Sequence, residues 1–294
     1  MKNKVISARA NAKVNLALHV IGQRKDGLHL LDSIVAFPDY GDELFFEKDE
    51  KFSLSISGPF GHQLQQQNTN DSNIILKATK LFKNWDSGVK IQLIKNLPVS
   101  SGVGGGSSNA AVTLQILSKL WKKNIPDLNE LLTLGADVPV CLSNGLQRMQ
   151  GIGEILTPLV PPLPMWIVLA NPGIEIPTKQ IFGLLGVKEN RKLEPFHDLK
   201  DQDSFFEYLR RQRNDLEGVT SGLFPEIRVM LQTFNSTTHC KLCRMSGSGA
   251  TCFGLYTQKD HALDAKRAIT ETFSKAWVVS APLFLTNPCH NIIG

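Results

Sequence analysis

No apolar run in this 294-residue chain approaches the roughly eighteen residues that a membrane span needs. Its opening, MKNKVISARANAKVNL, also lacks the apolar core of a secretory signal. These absences predict a cytoplasmic protein with no membrane partner. Cysteine is scarce, five in all, and an odd number argues against a disulfide framework. Cys240 and Cys243 have the spacing of a zinc or redox motif with His239 beside them, yet no second CxxC follows, and Cys289 and His290 could join only from far along the chain. The simpler reading is reduced thiols in or near strands. Blocks of one charge are missing too: the net +5 is spread along the chain, so no nucleic-acid partner is expected, although a mild positive field favours an anionic substrate. No internal repeat occurs, and no Gly-Lys-Ser/Thr closes a Walker loop.

What is present suits an enzyme. The length allows a large core and commonly divides into two domains. From Ala8 to Val20 the even positions are apolar and Arg9, Asn11, Lys13, Asn15 and His19 fall on odd ones, which predicts a strand with Lys13 and Asn15 on one polar face. Asp26-Gly27 predicts a turn, 45–56 further strands, the glutamine-rich stretch 62–73 a loop, and 73–85 a helix capped by Asp71 or Ser72. Prolines cluster in TPLVPPLP at 157–164 and predict a domain boundary. Beyond it, helices are predicted over 204–211, 226–234 and 261–273, and strands over 166–170, 242–256 and 277–280. Strands and helices mix without a regular βαβ period, so the fold class is α+β.

The alternating stretch 89–97 runs into Gly102-Val103-Gly104-Gly105-Gly106-Ser107-Ser108 and then an apolar stripe, Ala110, Ala111, Leu114, Leu117 and Trp121. The order is strand, glycine loop, helix, with Ser107, Ser108 and Asn109 suited to the cap and first turn. A glycine run by itself is more often a flexible connection. At a helix start its backbone N–H groups lack partners, and the dipole favours an anion, so the position predicts a phosphate cradle. Asp137, before Val138-Pro139, reads as a helix cap or as a carboxylate that deprotonates a substrate hydroxyl with Lys13 nearby. Ser246-Gly247-Ser248-Gly249 reads as a tight hairpin or as a second small-residue turn over a phosphate.

Together AKVNLALHV at 12–20, LPVSSGVGGGSSNAA at 97–111, LGADVP at 134–139 and RMSGSGATCFGLY at 244–256 resemble the superfamily of galactokinase, homoserine kinase, mevalonate kinase and phosphomevalonate kinase, in an order that covers nearly the whole chain. RKDGLHLLDS, GADVPVCL, GIGE at 151–154 and RNDLE at 213–217 are similar to its branch in the non-mevalonate isoprenoid pathway. The resemblance implies two domains: residues 1–160 with a left-handed βαβ crossover, residues 161–294 with a ferredoxin-like sheet, and a cleft between them. It implies transfer of a phosphate from ATP, with Mg²⁺, to the 2-hydroxyl of a cytidine-diphosphate methylerythritol, with Asp137 as base and Lys13 as its partner. Lys95, Pro98, Gly102, Val103, Gly104, Gly105, Gly106, Ser107, Ser108 and Asn109 fall where the family binds ATP. Asn15, Leu28, His29, Asp137, Phe182, Ser246 and Gly247 fall on the alcohol substrate, with His29 reading cytosine and Phe182 stacking on it. Two departures stand out. Leu28 replaces the usual Tyr, and SNGLQRMQ at 143–150 replaces a small, glycine-rich segment. A monomer or weak homodimer is expected.

Overall fold

The computed structural model describes residues 4–67, 72–83, 87–143, 145–160, 164–196, 201–284 and 292–293. The alternating stretch that predicts one strand forms two, β1 (Ile6–Asn11) and β2 (Val14–Gln23). At the break the backbone leaves its ladder, Ala12 N–H donating to Tyr40 O (2.9 Å) and Lys13 N–H to Val103 O (2.8 Å). Side-chain period survives such a break, so alternation alone does not reveal it. After the Asp26-Gly27 turn, β3 (His29–Ala36) runs back along β2, and β4 (Gly41–Asp49) returns to β1.

β5 (Ser53–Ser57) lies parallel to β6 (Gly88–Ile94). Parallel neighbours need a long crossover, and here it contains α1 (Gly61–Gln67) and α2 (Ile74–Lys80). The loop expected over 62–73 is thus partly helix. Glutamine is a good helix former, and Leu64 packs on the core. The helix expected over 73–85 is shorter, with Asn73 as its cap: its Oδ1 accepts from Ile75 N–H at 2.9 Å. Asp71 and Trp85 lie outside the described residues. The first sheet, completed by β13 (Ile292–Ile293), has the order β13-β1-β4-β6-β5. Val89, Ile91 and Leu93 of β6 bury into one core with Ala110, Leu114, Leu117 and Trp121 of α3 (Gly105–Trp121). Strand period two thus meets helix period 3.6, as the sequence predicts.

α4 (Leu128–Leu134) starts on an Asp127–Glu130 capping box, and α5 (Val138–Ser143) follows. The second sheet has the order β2-β3-β7-β8, with β7 (Gln147–Gly151) and β8 (Ile155–Pro158). The atypical segment at 143–150, of which Asn144 lies outside the described residues, supplies most of β7. Arg148 on β7 grips the fully buried Asp32 of β3 through Nε (2.8 Å) and Nη2 (2.7 Å), while Leu193 N–H donates to the same carboxylate.

The third sheet combines β9 (Met165–Asn171), β10 (Leu242–Met245), β11 (Cys252–Tyr256) and β12 (Trp277–Leu283). Its order, β10-β11-β9-β12, is all antiparallel. Helices α6 (Thr178–Gly183), α7 (Gln202–Arg211), α8 (Glu217–Leu223) and α9 (Pro225–Ser236) lie between β9 and β10, and α10 (Lys259–Thr272) precedes β12. This βαββαβ order is the ferredoxin-like arrangement. The proline cluster falls partly on residues 161–163, outside the described set. Apolar residues on either side of it share one core, where Val14 and Leu16 meet Met165, Leu169, Phe205 and Phe206. No helix among the described residues is long and apolar enough to cross a membrane.

Removing one half of a buried ion pair strands the other charge. Arg148→Ala is expected to lower unfolding stability by about 3–5 kcal/mol, and Asp32→Leu with Arg148→Met to restore most of it. Urea titration of the three proteins checks this, and equal losses in the single and double variants would contradict it.

Candidate active site

A cavity of about 640 Å³ opens between the glycine loop, the start of β2 and the 246–249 turn. Its central wall is the N-terminus of α3. The loop after β6 turns through Gly102 (φ 77°) and the helix cap Gly104 (φ 62°), both left-handed. A Cβ on Gly102 would lie 2.6 Å from Ser246 O, and one on Gly104 would lie 3.0 Å from Lys13 Cβ. Close approach excludes larger residues at both places. The cap is therefore Gly104, with no side-chain bond, and Ser107, Ser108 and Asn109 sit inside the helix. The first N–H groups of α3, at Gly105, Gly106 and Ser107, have no intrahelical acceptor, and a 17-residue helix aims its positive end at the cavity.

Lys13 and Asp137 meet there. Lys13 Nζ donates to Asp137 Oδ2 at 2.8 Å, and the side chains are 6% and 34% exposed. Lys13 is held from behind by its backbone bond to Val103 and from above by Gly104. Asp137 sits immediately before α5, so it keeps the cap position read from sequence and still lines the cavity. Two residues on, Asn15 N–H donates to Ser246 Oγ (3.1 Å), which donates to Gly102 O (2.9 Å). Asn15 Nδ2 donates to Ser33 Oγ (2.8 Å), while its Oδ1 is covered and has no partner. The period-two pairing of Lys13 and Asn15 thus places both at the cavity, although neither is solvated as a polar strand face would be.

Beneath the loop, Asp42 takes four hydrogen bonds, from Lys95 Nζ (2.6 Å), Asn109 Nδ2 (3.0 Å), and the backbone N–H groups of Asn96 and Leu97 (both 2.8 Å). Burial lowers the Lys95 pKa, opposed by the Asp42 charge. Asp42 was not readable as a site residue, because a single Asp at a strand start resembles any turn carboxylate. Asn214, within RNDLE, was also missed as a site residue. Its Nδ2 donates to Met245 O and Gly247 O, both at 2.8 Å, and so holds the second turn.

Most of the expected site residues converge. Lys13, Asn15, Lys95, Pro98, Gly102, Gly104, Gly105, Gly106, Ser107, Asn109, Asp137, Phe182 and Gly247 line the cavity. Val103 and Ser108 do not. Val103, just before the helix cap, packs into the core with Ala12 and Val14, and Ser108, on the buried side of α3, turns its Oγ onto Cys141 Sγ at 3.4 Å. Ser246 is fully buried as the clasp just described. Leu28 is 48% exposed at the β2–β3 turn and lines no part of the cavity, so it forms no wall opposite Phe182. His29 is not part of the lining either: its ring packs directly on Phe182, centroids 4.8 Å apart with planes tilted by 32°. Burial lowers the His29 pKa, aided by Lys188, which favours the neutral ring. Among the described residues no cluster of three or more His, Cys, Asp or Glu could hold a metal ion.

Comparison with known proteins agrees with this geometry. The chain matches the GHMP kinases N terminal domain over residues 73–146 and the GHMP kinases C terminal family over residues 193–275. It is 44% identical over 276 residues to a 4-diphosphocytidyl-2-C-methyl-D-erythritol kinase of Cereibacter sphaeroides, covering 93% of this chain and 98% of that protein. It is 39% identical to the protein of the same name from Paramagnetospirillum magneticum, over 94% of this chain and 98% of that one. A crystal structure of 4-(cytidine 5'-diphospho)-2C-methyl-D-erythritol kinase superposes with a TM-score of 0.76 at 32% identity, covering 94% of this chain and 98% of that chain. Mevalonate kinase of L. major shares the fold, with a TM-score of 0.64 at 15% identity over 94% of this chain and 95% of that one. With the strand–glycine loop–helix, the ferredoxin-like sheet and the cleft all in place, the chain belongs to the GHMP kinases, in the family of 4-diphosphocytidyl-2-C-methyl-D-erythritol kinases.

Proposed function

We propose that the chain transfers the γ-phosphate of ATP to the 2-hydroxyl of 4-diphosphocytidyl-2-C-methyl-D-erythritol, giving the 2-phosphate and ADP. The observation that carries this reading is the Lys13–Asp137 pair at 2.8 Å beside the unpaired N–H groups of α3. The N–H groups hold the phosphates, as a helix start does for anions. Asp137 orients the hydroxyl and takes its proton as the new O–P bond forms and the bond from Pγ to the ADP oxygen breaks. Lys13 offsets the charge that gathers between them. Little covalent work is left to the protein, so most of the catalysis is positioning and charge stabilisation.

The residues present also fit Mg²⁺ carried on ATP. Mg²⁺ is bound by one or two protein oxygens plus phosphates and water, and Ser107 and Asp137 offer such oxygens at the cavity. It would supply positive charge to the phosphates there. At the far end, the His29–Phe182 ring pair suits a flat heterocycle, with Phe182 giving the face and the neutral imidazole giving one donor and one acceptor. We place the division between the nucleotide half and the substrate half at residue 160.

Asp137→Asn is expected to fold and bind ATP but lose roughly 10²- to 10⁴-fold in kcat. Lys13→Met should also lower kcat, with the double variant far less than multiplicatively worse, because the two act as a unit. A coupled ADP assay with the cytidine substrate measures this, and near wild-type turnover of Asp137→Asn would reduce that residue to a cap.

Gly106 has only Ile74 Cγ2, at 3.8 Å, near the place of a Cβ. Gly106→Val therefore projects into open cavity without displacing protein, and ATP affinity should fall while the thermal midpoint stays close to wild type. Unchanged affinity by calorimetry would move the phosphates elsewhere.

Phe182→Ala should raise KM for the cytidine substrate by roughly 2- to 12-fold, the worth of an aromatic contact of about 0.5–1.5 kcal/mol, and leave KM for ATP unchanged. An unaltered KM for the cytidine substrate would count against a base at that end.

A further inference from the structure

The GIGE motif at 151–154 forms the turn that joins β7 to β8, and it abuts the loop that carries Asp137. Gly151 (φ 74°) and Gly153 (φ 122°) both lie in the region that favours glycine, and Gly153 N–H donates to Gln150 O at 3.2 Å. A Cβ on Gly153 would lie 2.6 Å from Ala136 O, and one on Gly151 would strike the Glu154 carboxylate. That carboxylate accepts from Ile152 N–H at 2.5 Å. The turn is thus closed on itself and pressed against Ala136. Ile152 and Asp137 each stand one residue, about 3.8 Å of chain, from the place of contact, and both line the cavity.

Ile152 is unlike the other apolar residues of the cavity. Of the leucine, isoleucine, valine and methionine side chains that line it, all but Ile152 and Val99 are packed in or against one of the hydrophobic cores formed by the described residues. Val99 belongs to the loop between β6 and α3, so Ile152 is the one beside Asp137. It is partly buried and β-branched, and a side chain of that kind has few rotamers. With no core of its own, it offers apolar surface to whatever fills the cavity. The other neighbours of Asp137 are polar: Lys13 is bonded to it at 2.8 Å, and Ser107 Oγ lies 3.8 Å from the place of a Cβ on Gly135.

The substrate proposed above carries its 2-hydroxyl and a methyl group on the same carbon. Resting on that substrate reading, we propose that Ile152 is a specificity-determining residue that receives this methyl, so that the site selects the methyl-bearing tertiary alcohol over the corresponding secondary alcohol. A hydroxyl held at Asp137 brings the methyl, one bond from the reacting carbon, to the wall beside that carboxylate. Lys13 and Ser107 would leave it in polar company, whereas Ile152 takes it out of water. One carbon in an apolar pocket is worth roughly 10- to 200-fold in kcat/KM. The two glycines and Glu154 act through Ile152: they hold the turn that presents it.

The test is steady-state kinetics of the full chain with 4-diphosphocytidyl-2-C-methyl-D-erythritol and its desmethyl analogue, 4-diphosphocytidyl-D-erythritol, at saturating ATP. The readout is kcat/KM for the methyl substrate divided by that for the desmethyl one. Ile152→Ala is expected to lower this ratio roughly tenfold, and Ile152→Leu, which conserves volume, to keep most of it. Any intrinsic difference between a tertiary and a secondary alcohol is common to all the proteins and cancels when their ratios are compared. A merely structural Ile152 would lower both substrates alike, so an unchanged ratio in Ile152→Ala would overturn the proposal. If Ile152→Ala misfolds, Ile152→Val, one methylene shorter, reads the same ratio with a smaller fall, and an unchanged ratio there counts against the proposal equally. No turnover of the methyl substrate by the wild-type protein would instead overturn the kinase reading, and the methyl assignment with it.

Discussion

Three backbones from distant parts of the chain meet at Gly102, and the cleft exists because they can come that close. The Ser246 hydroxyl accepts from Asn15 N–H and donates to Gly102 O, closing contacts across 231 and 144 residues of sequence. The contact works only without a side chain at 102, since a Cβ there would strike Ser246 O and Gly249 O. One hydroxyl thereby fixes the start of β2, the glycine loop and the second turn relative to one another. Lys13 lies two residues from one end of that clasp, Gly104 two residues from another, and Gly247 next to the third. Chemistry that depends on positioning needs such a junction, because a shift of about an ångström in any of the three would separate the groups that must act together.

Around that junction the site is built from polar groups withdrawn from water, and the charged ones among them carry their partners with them. Asp42 is fully buried and collects four donors, among them Lys95 and Asn109 at the cavity floor. Asp32 is answered by Arg148 in the same way one sheet away. Burying a lone charge costs several kcal/mol, so these groups are tolerated only as pairs. The consequence for function is rigidity: Lys95 and Asn109 are held before any ligand arrives, and β3, which carries His29 and Ser33, is pinned to β7. In contrast, the covered Oδ1 of Asn15 and Nε2 of His29 have no protein partner. Both residues sit where the substrate is proposed to lie, and a ligand group that reached these atoms would relieve an unmet hydrogen bond.

Much of this was legible in the chain, though unevenly. The strand–glycine loop–helix order was readable because Val89, Ile91 and Leu93 keep period two and Ala110, Leu114 and Leu117 keep a helical stripe, and both patterns depend only on near neighbours. The break at Ala12-Lys13 was not readable. Side-chain alternation continues through it, and the carbonyls of Tyr40 and Val103 that capture those N–H groups belong to other segments. The glutamine-rich stretch misled for a different reason. Polarity describes how much surface a segment exposes, whereas helix formation at 61–67 follows from backbone propensity and from Leu64 having a core to meet. Leu28 shows the limit of carrying a role across by position: the residue beside His29 points to solvent, and His29 itself supplies the ring against Phe182.

The sequence by itself determined the local chemistry: glycines where φ must be left-handed, a helix start with unpaired N–H groups, a lysine and an asparagine two residues apart, and the order of motifs that marks the family. Those are properties of residues and their immediate neighbours, and short-range sterics and periodicity decide them. Only the tertiary structure decided which Asp holds Lys95, that Lys13 reaches Asp137 124 residues away, and that Ser246 clasps rather than lines the cavity. Each of these depends on a contact between segments far apart in the chain, and hydrogen bonds and burial at such contacts have no trace in the spacing of residues along it.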